Sequence, residues 1–189
     1  MDSEILVLKF LLGKKEEGFT IRKISENLKI NYRIAYEKAI SLEKDGLIKI
    51  TRQGNSKICN LTYKFDWRMF EAEYLRRQEL FKNKDFIIIQ DDLSKLKFPF
   101  VAILFGSYAK GTNTKHSDID ILAIGGDEKE ITSNLMLLFS EKIHLTWVTY
   151  EDFLLMAKSK EFTVVSEAIK NNIILIGIEE YYRLLKNAE

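Results

Sequence analysis

Two short apolar runs, VAILF at Val101–Phe105 and IDILAI at Ile119–Ile124, bracket a segment of small and polar residues. Unbroken apolar runs of this length are typical of buried strands. Successive side chains of a strand point to opposite faces, so Asp118 and Asp120 are predicted to project from one face while Ile119 enters the other. The pattern predicts two neighbouring strands that aim two carboxylates at one place.

Two carboxylates that lie close together repel each other unless a cation or a proton lies between them. Mg²⁺ is the leading candidate, with Mn²⁺ beside it, because Mg²⁺ takes one or two carboxylates together with phosphate oxygens and water. Gly106 and Ser107 open the loop before the carboxylates. Glycine allows a sharp turn, and backbone amides that open a helix can donate to a phosphate. The segment therefore predicts adjoining metal and phosphate sites.

The dipeptide Gly106-Ser107, a second glycine at Gly111 and the SDID sequence ending at Asp120 resemble the DNA polymerase β nucleotidyltransferase superfamily, in particular its minimal, single-sheet MNT type. The resemblance extends from Lys84 to about Lys186. It implies that Asp118 and Asp120 hold the metal and act in catalysis with Ser107. The residues that it implies for binding an NTP are Gly106, Ser107, Lys110 and Ser117.

The strand after the two aspartates departs from the pattern of this superfamily. Most active members carry a third carboxylate there, but the strand Ile143–Thr149 places His144 and Thr146 on the expected face. A neutral histidine could order a water or accept a proton near pH 7, yet it cannot replace the charge of a carboxylate. An ordinary strand histidine is the alternative interpretation.

The first third of the chain predicts three helices and a β-hairpin. Ser3 is the expected cap of the first helix and Thr20 that of the second, and the third runs from Tyr32 to about Lys44. Strands are expected at Leu47–Thr51 and Lys57–Leu61. The phrase LEKDGLIKI at the junction resembles winged-helix modules, which implies duplex DNA binding through the third helix and the hairpin turn. The implied contacts are Asn31, Tyr32, Arg33, Tyr36, Lys38, Arg52, Gln53, Asn55 and Lys57.

Glu37 and Glu43 reduce the net positive charge of the third helix, so protein docking or dimerisation remains an alternative role for the N-terminal part of the chain. Through Asp66 the chain holds 13 basic and nine acidic residues, and the remainder holds 16 basic and 19 acidic ones. The N-terminal part is therefore the better candidate for binding a polyanion.

Between these parts, residues 66–82 show the spacing of a helix with an aromatic stripe that includes Trp67, Phe70 and Tyr74. We interpret it as a connecting helix whose stripe forms an interdomain or dimer seam rather than a ligand site. The expected fold is α+β, with a winged helix-turn-helix at residues 1–64, the connecting helix at 65–83 and a nucleotidyltransferase-type mixed sheet flanked by helices at 84–189.

The single cysteine, Cys59, excludes an internal disulfide and a cysteine-based zinc cluster. The chain shows no apolar run of membrane-spanning length and no basic n-region of a signal peptide, so a cytoplasmic protein without membrane contact is expected.

Three functions remain open. The first is Mg²⁺-dependent transfer of an NMP from an NTP to a hydroxyl of a protein, RNA or small molecule, since MNT-type relatives include antitoxins that nucleotidylate their partner toxin. The second is a DNA-binding regulator or antitoxin whose degenerate transferase domain only binds nucleotide or a partner. The third is a homodimeric scaffold that uses neither site.

Overall fold

The structure is a computed structural model that describes residues 2–15, 18–139, 142–159 and 161–188, without the side chains of 137–139. The chain divides into two compact units, and the boundary follows Arg76. In the described residues, no helix is both long and apolar enough to cross a membrane.

The first unit packs helices against a small antiparallel sheet whose strand order is β1-β3-β2. Its core is made of apolar side chains that are fully buried, such as Leu8, Ile24 and Leu42. Its elements are α1 (Ser3–Leu12), β1 (Phe19–Thr20), α2 (Ile21–Leu28), α3 (Tyr32–Lys44), β2 (Ile48–Gln53), β3 (Ser56–Leu61) and the larger part of α4 (Trp67–Leu80).

Side-chain caps set where these helices begin. Thr20 accepts a hydrogen bond from the backbone N–H of Lys23, which confirms the predicted cap of α2. The predicted cap of α1 was wrong by one residue. Ser3 is already helical, and the side chain of Asp2 accepts from the N–H of Glu4. Aspartate and serine are comparable caps, so adjacent Asp2 and Ser3 could not be separated by residue type.

A largely buried arginine side chain joins α4 to the rest of the first unit. Arg68, whose side chain is 11% exposed, has its guanidinium 2.8 Å from Glu4 of α1, 2.8 Å from Asp45 after α3 and 2.6 Å from Asp66. Asp66 also accepts from the N–H of Arg68 at 2.9 Å, so it caps α4. One guanidinium thus fixes the start of α4 against two other helix ends.

The second unit is built on a mixed sheet whose strands, in the described residues, follow the order β6-β5-β4-β7. The pairs β4–β5 and β4–β7 are antiparallel, and β5–β6 is parallel. Helices flank this sheet, which confirms the predicted α+β class. The elements are α5 (Lys84–Ser94), β4 (Val101–Phe105), α6 (Gly106–Lys110), β5 (Ile119–Ile124), α7 (Glu128–Phe139), β6 (Ile143–Val148), α8 (Tyr150–Lys158), α9 (Val164–Lys170), β7 (Ile173–Ile176) and α10 (Ile178–Ala188).

The alternation of β5 decides which side chains enter the core. Ile119 and Ile121 lie in a buried cluster with Phe86 of α5 and Ile131 of α7. Each fully buried aliphatic side chain contributes about 1.5–3 kcal/mol to stability. Since neighbouring side chains of a strand alternate, Asp120 points away from this cluster to the opposite face of the sheet.

Candidate functional site

The turn between β4 and α6 lies directly against Asp120. The antiparallel register pairs Phe105 at the end of β4 with Asp120 of β5, and Gly106 is the next residue. Gly106 has a φ of +66°, and a Cβ added to it would lie 2.1 Å from Oδ2 of Asp120. Only glycine therefore allows this backbone to turn so close to the carboxylate.

The two aspartates flank Ile119, which is buried. Asp120 is the second residue of β5 and its side chain is 25% exposed. Asp118 immediately precedes the strand and is exposed. Both carboxylates are therefore accessible to solvent.

His144 is the neighbour of Asp120 on the next strand. The parallel register of β5 and β6 pairs these two residues, and His144 Nδ1 lies 3.3 Å from Asp120 Oδ1. The histidine side chain is 71% exposed. The structure thus brings an imidazole beside the carboxylate of Asp120.

The carboxylates of Asp118 and Asp120 fit Mg²⁺ in part. Two carboxylates with solvent access suit an ion that completes its shell with water and phosphate oxygens, and the backbone at Gly106 leaves room beside Asp120. In the described residues, no group of three or more histidine, cysteine, aspartate or glutamate side chains is placed to hold a metal. The described side chains therefore supply only part of the ligands that Mg²⁺ takes.

The other residues implied for NTP binding lie around α6. Ser107 is the second residue of this helix, and its carbonyl accepts from Thr112 N at 3.0 Å. Ser117 uses its hydroxyl within the loop, where Oγ accepts from Thr114 N at 2.8 Å. These bonds shape the segment that leads from the glycine turn to Asp118.

Lys110 has a partner that the sequence did not indicate. Its Nζ lies 3.1 Å from Oε1 of Glu167 on α9, with side chains 41% and 34% exposed respectively. The two residues are 57 positions apart, so no local pattern could have paired them. This ion pair links α9 to the end of α6.

The residues predicted to contact nucleic acid lie on α3 and on the β2–β3 turn, and most are exposed. The structure brings Tyr36 and Lys57 together, with Lys57 Nζ 2.8 Å from the tyrosine oxygen. Asn31 caps α3 by accepting from the N–H of Arg33. Lys38 instead lies 3.5 Å from Glu4 of α1. The exposed residues at the hairpin turn are Arg52, Gln53 and Asn55.

The charge of Arg33 is partly neutralised, because its Nε lies 2.9 Å from Glu37 one turn later.

The aromatic stripe of α4 is exposed in the structure: Trp67 is 63% exposed, and Phe70 and Tyr74 are 41% exposed.

Residues 88–181 match the family model described as Polymerase beta, Nucleotidyltransferase. This segment contains the whole four-stranded sheet described above, the glycine turn and both aspartates. The match supports the relation of the second unit to the polymerase β-like nucleotidyltransferase superfamily. Comparisons with curated proteins and with solved structures gave no match.

Proposed function

We propose that the second unit binds an NTP with Mg²⁺ or Mn²⁺ and transfers its NMP to a hydroxyl of an acceptor such as a partner toxin. The observation that supports this most strongly is the contact between Gly106 and Asp120, because it places a backbone turn and a carboxylate at one point. In the proposed reaction the acceptor oxygen bonds to the α-phosphorus, the bond to pyrophosphate breaks, and the hydroxyl proton passes to water.

Each residue of the proposed site would have its own role. Asp118 and Asp120 would hold the metal ion, which supplies positive charge against the phosphates when it is bound. Gly106 lets the backbone approach, and Ser107 would donate to the triphosphate with Ser117 ordering the loop. Lys110 would exchange its bond to Glu167 for a charge-assisted bond to a phosphate oxygen.

His144 supports a second candidate function. Its position beside Asp120 leaves the predicted metal site without a third carboxylate, which can cost several kcal/mol of transition-state stabilisation. In this case the protein would be a DNA-binding regulator or antitoxin whose transferase domain binds nucleotide without turnover.

Label transfer separates the two candidates. The purified chain is incubated with Mg²⁺ or Mn²⁺ and each α-labelled NTP, beside the Asp118→Asn, Asp120→Asn double variant and an Asp91→Asn control. Asp91 is an exposed acid of α5 away from the site. Transfer by the wild type and by the control, but not by the double variant, supports the transferase. Transfer that survives in the double variant contradicts the proposed site, and NTP binding without transfer supports the regulator.

We further propose that the first unit binds duplex DNA as a winged helix, through α3 and the β2–β3 turn. The exposed cations Arg33 and Arg52 on these two elements support this surface. The Arg33→Ala, Arg52→Ala variant is expected to reduce the slope of log affinity against log salt by about 1 for each lost phosphate contact. Lys129→Ala, an exposed charge of α7, is the control. An unchanged slope in the arginine variant contradicts this surface.

A further inference from the structure

The first unit contains a cleft that the proposed transferase chemistry does not use. It lies between the N-terminal half of α2, the start of α3 and the β2–β3 turn, and its volume is about 720 Å³. Pockets for small organic ligands span about 300–1,000 Å³. The cleft is thus large enough for a ligand with a ring system as well as a charged group.

Two cations from separate elements line this cleft, Arg22 of α2 and Lys57 of β3. Arg22 is 82% exposed, and its Nε lies 3.0 Å from Glu26, another residue of the cleft wall. Lys57 is held in place by Tyr36, since its Nζ lies 2.8 Å from the hydroxyl and 4.5 Å from the ring centroid. The net charge of these three charged residues is positive, which favours an anionic ligand.

An aromatic ring also lines this cleft. Tyr32 lines it and is 53% exposed. Its ring lies 6.3 Å from that of Tyr36, the residue that holds Lys57 in place. Exposed aromatic rings bind the flat faces of nucleobases irrespective of base identity. Asn55 and Ser56 of the hairpin turn add hydrogen-bonding groups to the wall.

From this combination we propose that the cleft binds a phosphorylated nucleoside, with its phosphate between Arg22 and Lys57 and its base against Tyr32. A phosphorylated nucleoside is present both in a free mononucleotide and at the end of a single strand. Tyr32, Asn55 and Lys57 also belong to the predicted duplex surface. The ligand and duplex DNA therefore exclude each other, which makes the cleft an effector site for DNA binding.

Binding is tested on the full chain carrying Asp118→Asn and Asp120→Asn, in EDTA, so that the metal-dependent site of the second unit does not contribute. Equilibrium dialysis with labelled AMP is compared with adenosine, with ribose 5-phosphate and with a short single strand that carries a 5′-phosphate. AMP is expected to bind more tightly than adenosine or ribose 5-phosphate. Absence of AMP binding, or ribose 5-phosphate binding as tightly as AMP, overturns the proposal. Tighter binding of the single strand than of AMP identifies a strand end as the ligand, and tighter binding of AMP identifies a free mononucleotide.

Variants of the lining residues locate the ligand. Arg22→Gln and Lys57→Gln are each expected to weaken AMP binding about 10-fold or more, the effect of losing one charge-assisted bond. Tyr32→Ala is expected to weaken it at least about 5-fold, whereas Tyr32→Phe retains the ring and the affinity. Lys49→Gln changes an exposed lysine of β2 outside the cleft and serves as the control. Equal AMP affinity in all these variants overturns the assignment to the cleft.

The exclusion of DNA is measured separately and rests on the proposed duplex binding. AMP is expected to release a labelled duplex from the same chain, and Arg22→Gln is expected to raise the AMP concentration required. Duplex binding that is insensitive to saturating AMP overturns the effector role. If the chain binds no duplex at all, the proposed DNA function fails while the AMP measurements still decide whether the cleft is a nucleotide site.

Discussion

Replacement of Gly106 by alanine tests how closely the glycine turn and the carboxylate are coupled. At a φ of +66° an L-residue costs about 1–2 kcal/mol of stability. The added Cβ would also lie 2.1 Å from Oδ2 and 3.0 Å from Cγ of Asp120, so the whole carboxylate must move. Overpacking of this kind adds about 1–3 kcal/mol, which brings the expected loss to about 2–5 kcal/mol.

Gly111→Ala is a matched control at the other end of α6. Gly111 has a φ of +69°, but a Cβ there meets no atom within 4 Å. It should therefore lose only the backbone contribution of about 1–2 kcal/mol. The difference between the two variants isolates the displacement of Asp120.

Two measurements are made on both variants. Urea unfolding, followed through the fluorescence of Trp147 in a Trp67→Phe background, gives the loss of stability of the second unit, since Trp147 lies on β6. Titration with a fluorescent NTP in Mg²⁺ gives the affinity. Gly106→Ala should lose Mg²⁺-dependent binding while Gly111→Ala retains it. Equal stability and equal affinity in the two variants would refute the coupling of the turn to Asp120.

Three further predictions follow from the charged groups. Arg68→Ala leaves partly exposed carboxylates without their shared cation and should cost about 1.5–3 kcal/mol in urea unfolding. Arg33→Ala, at an exposed pair, should cost at most about 0.5 kcal/mol. Equal losses in the two variants would contradict the role of the Arg68 network. Burial lowers the pKa of Lys15 from its usual 10.5 to about 8, and the carboxylate of Glu73 opposes this shift. Between these two pH values the unfolded chain binds more protons than the folded chain, so the free energy of unfolding should rise with pH across this window. Lys15→Met should flatten that rise, and an identical pH profile of unfolding would show that Lys15 does not cause it. His144→Asp places a carboxylate beside Asp120 and should tighten Mn²⁺ binding, measured by titration, whereas weaker binding would show that this position cannot complete the metal shell.

Local patterns in the sequence predicted the type and place of several elements, but not the two-residue strand β1, which pairs with β3. Apolar spacing and end signals placed the third helix at Tyr32–Lys44 and the first strand of the second unit at Val101–Phe105, as found. The alternation of a strand also placed Ile119 in the core, with the two aspartates on either side of it. These features depend on the 3.6- and two-residue periods of helices and strands, which are properties of neighbouring residues.

Periodicity was less reliable for the surface of α3. Apolar side chains of an amphipathic helix usually face the core, yet Ile34 and Ile40 are 42% and 36% exposed, while Ala35, Ala39 and Leu42 are buried. The small alanines allow the helix to pack closely along one narrow face. How wide a buried face becomes depends on the elements packed against it.

Gly106, Asp118 and Asp120 were evident from residue order, but their partners were decided by the tertiary structure. The parallel register of β5 and β6 sets His144 beside Asp120, and the packing of the second unit brings Glu167 to Lys110. The cleft between Arg22 and Lys57 likewise forms only when α2 and the hairpin turn meet. Sequence patterns describe a residue's own strand or helix, whereas these contacts join residues far apart in the chain, whose distance is determined by strand register and packing.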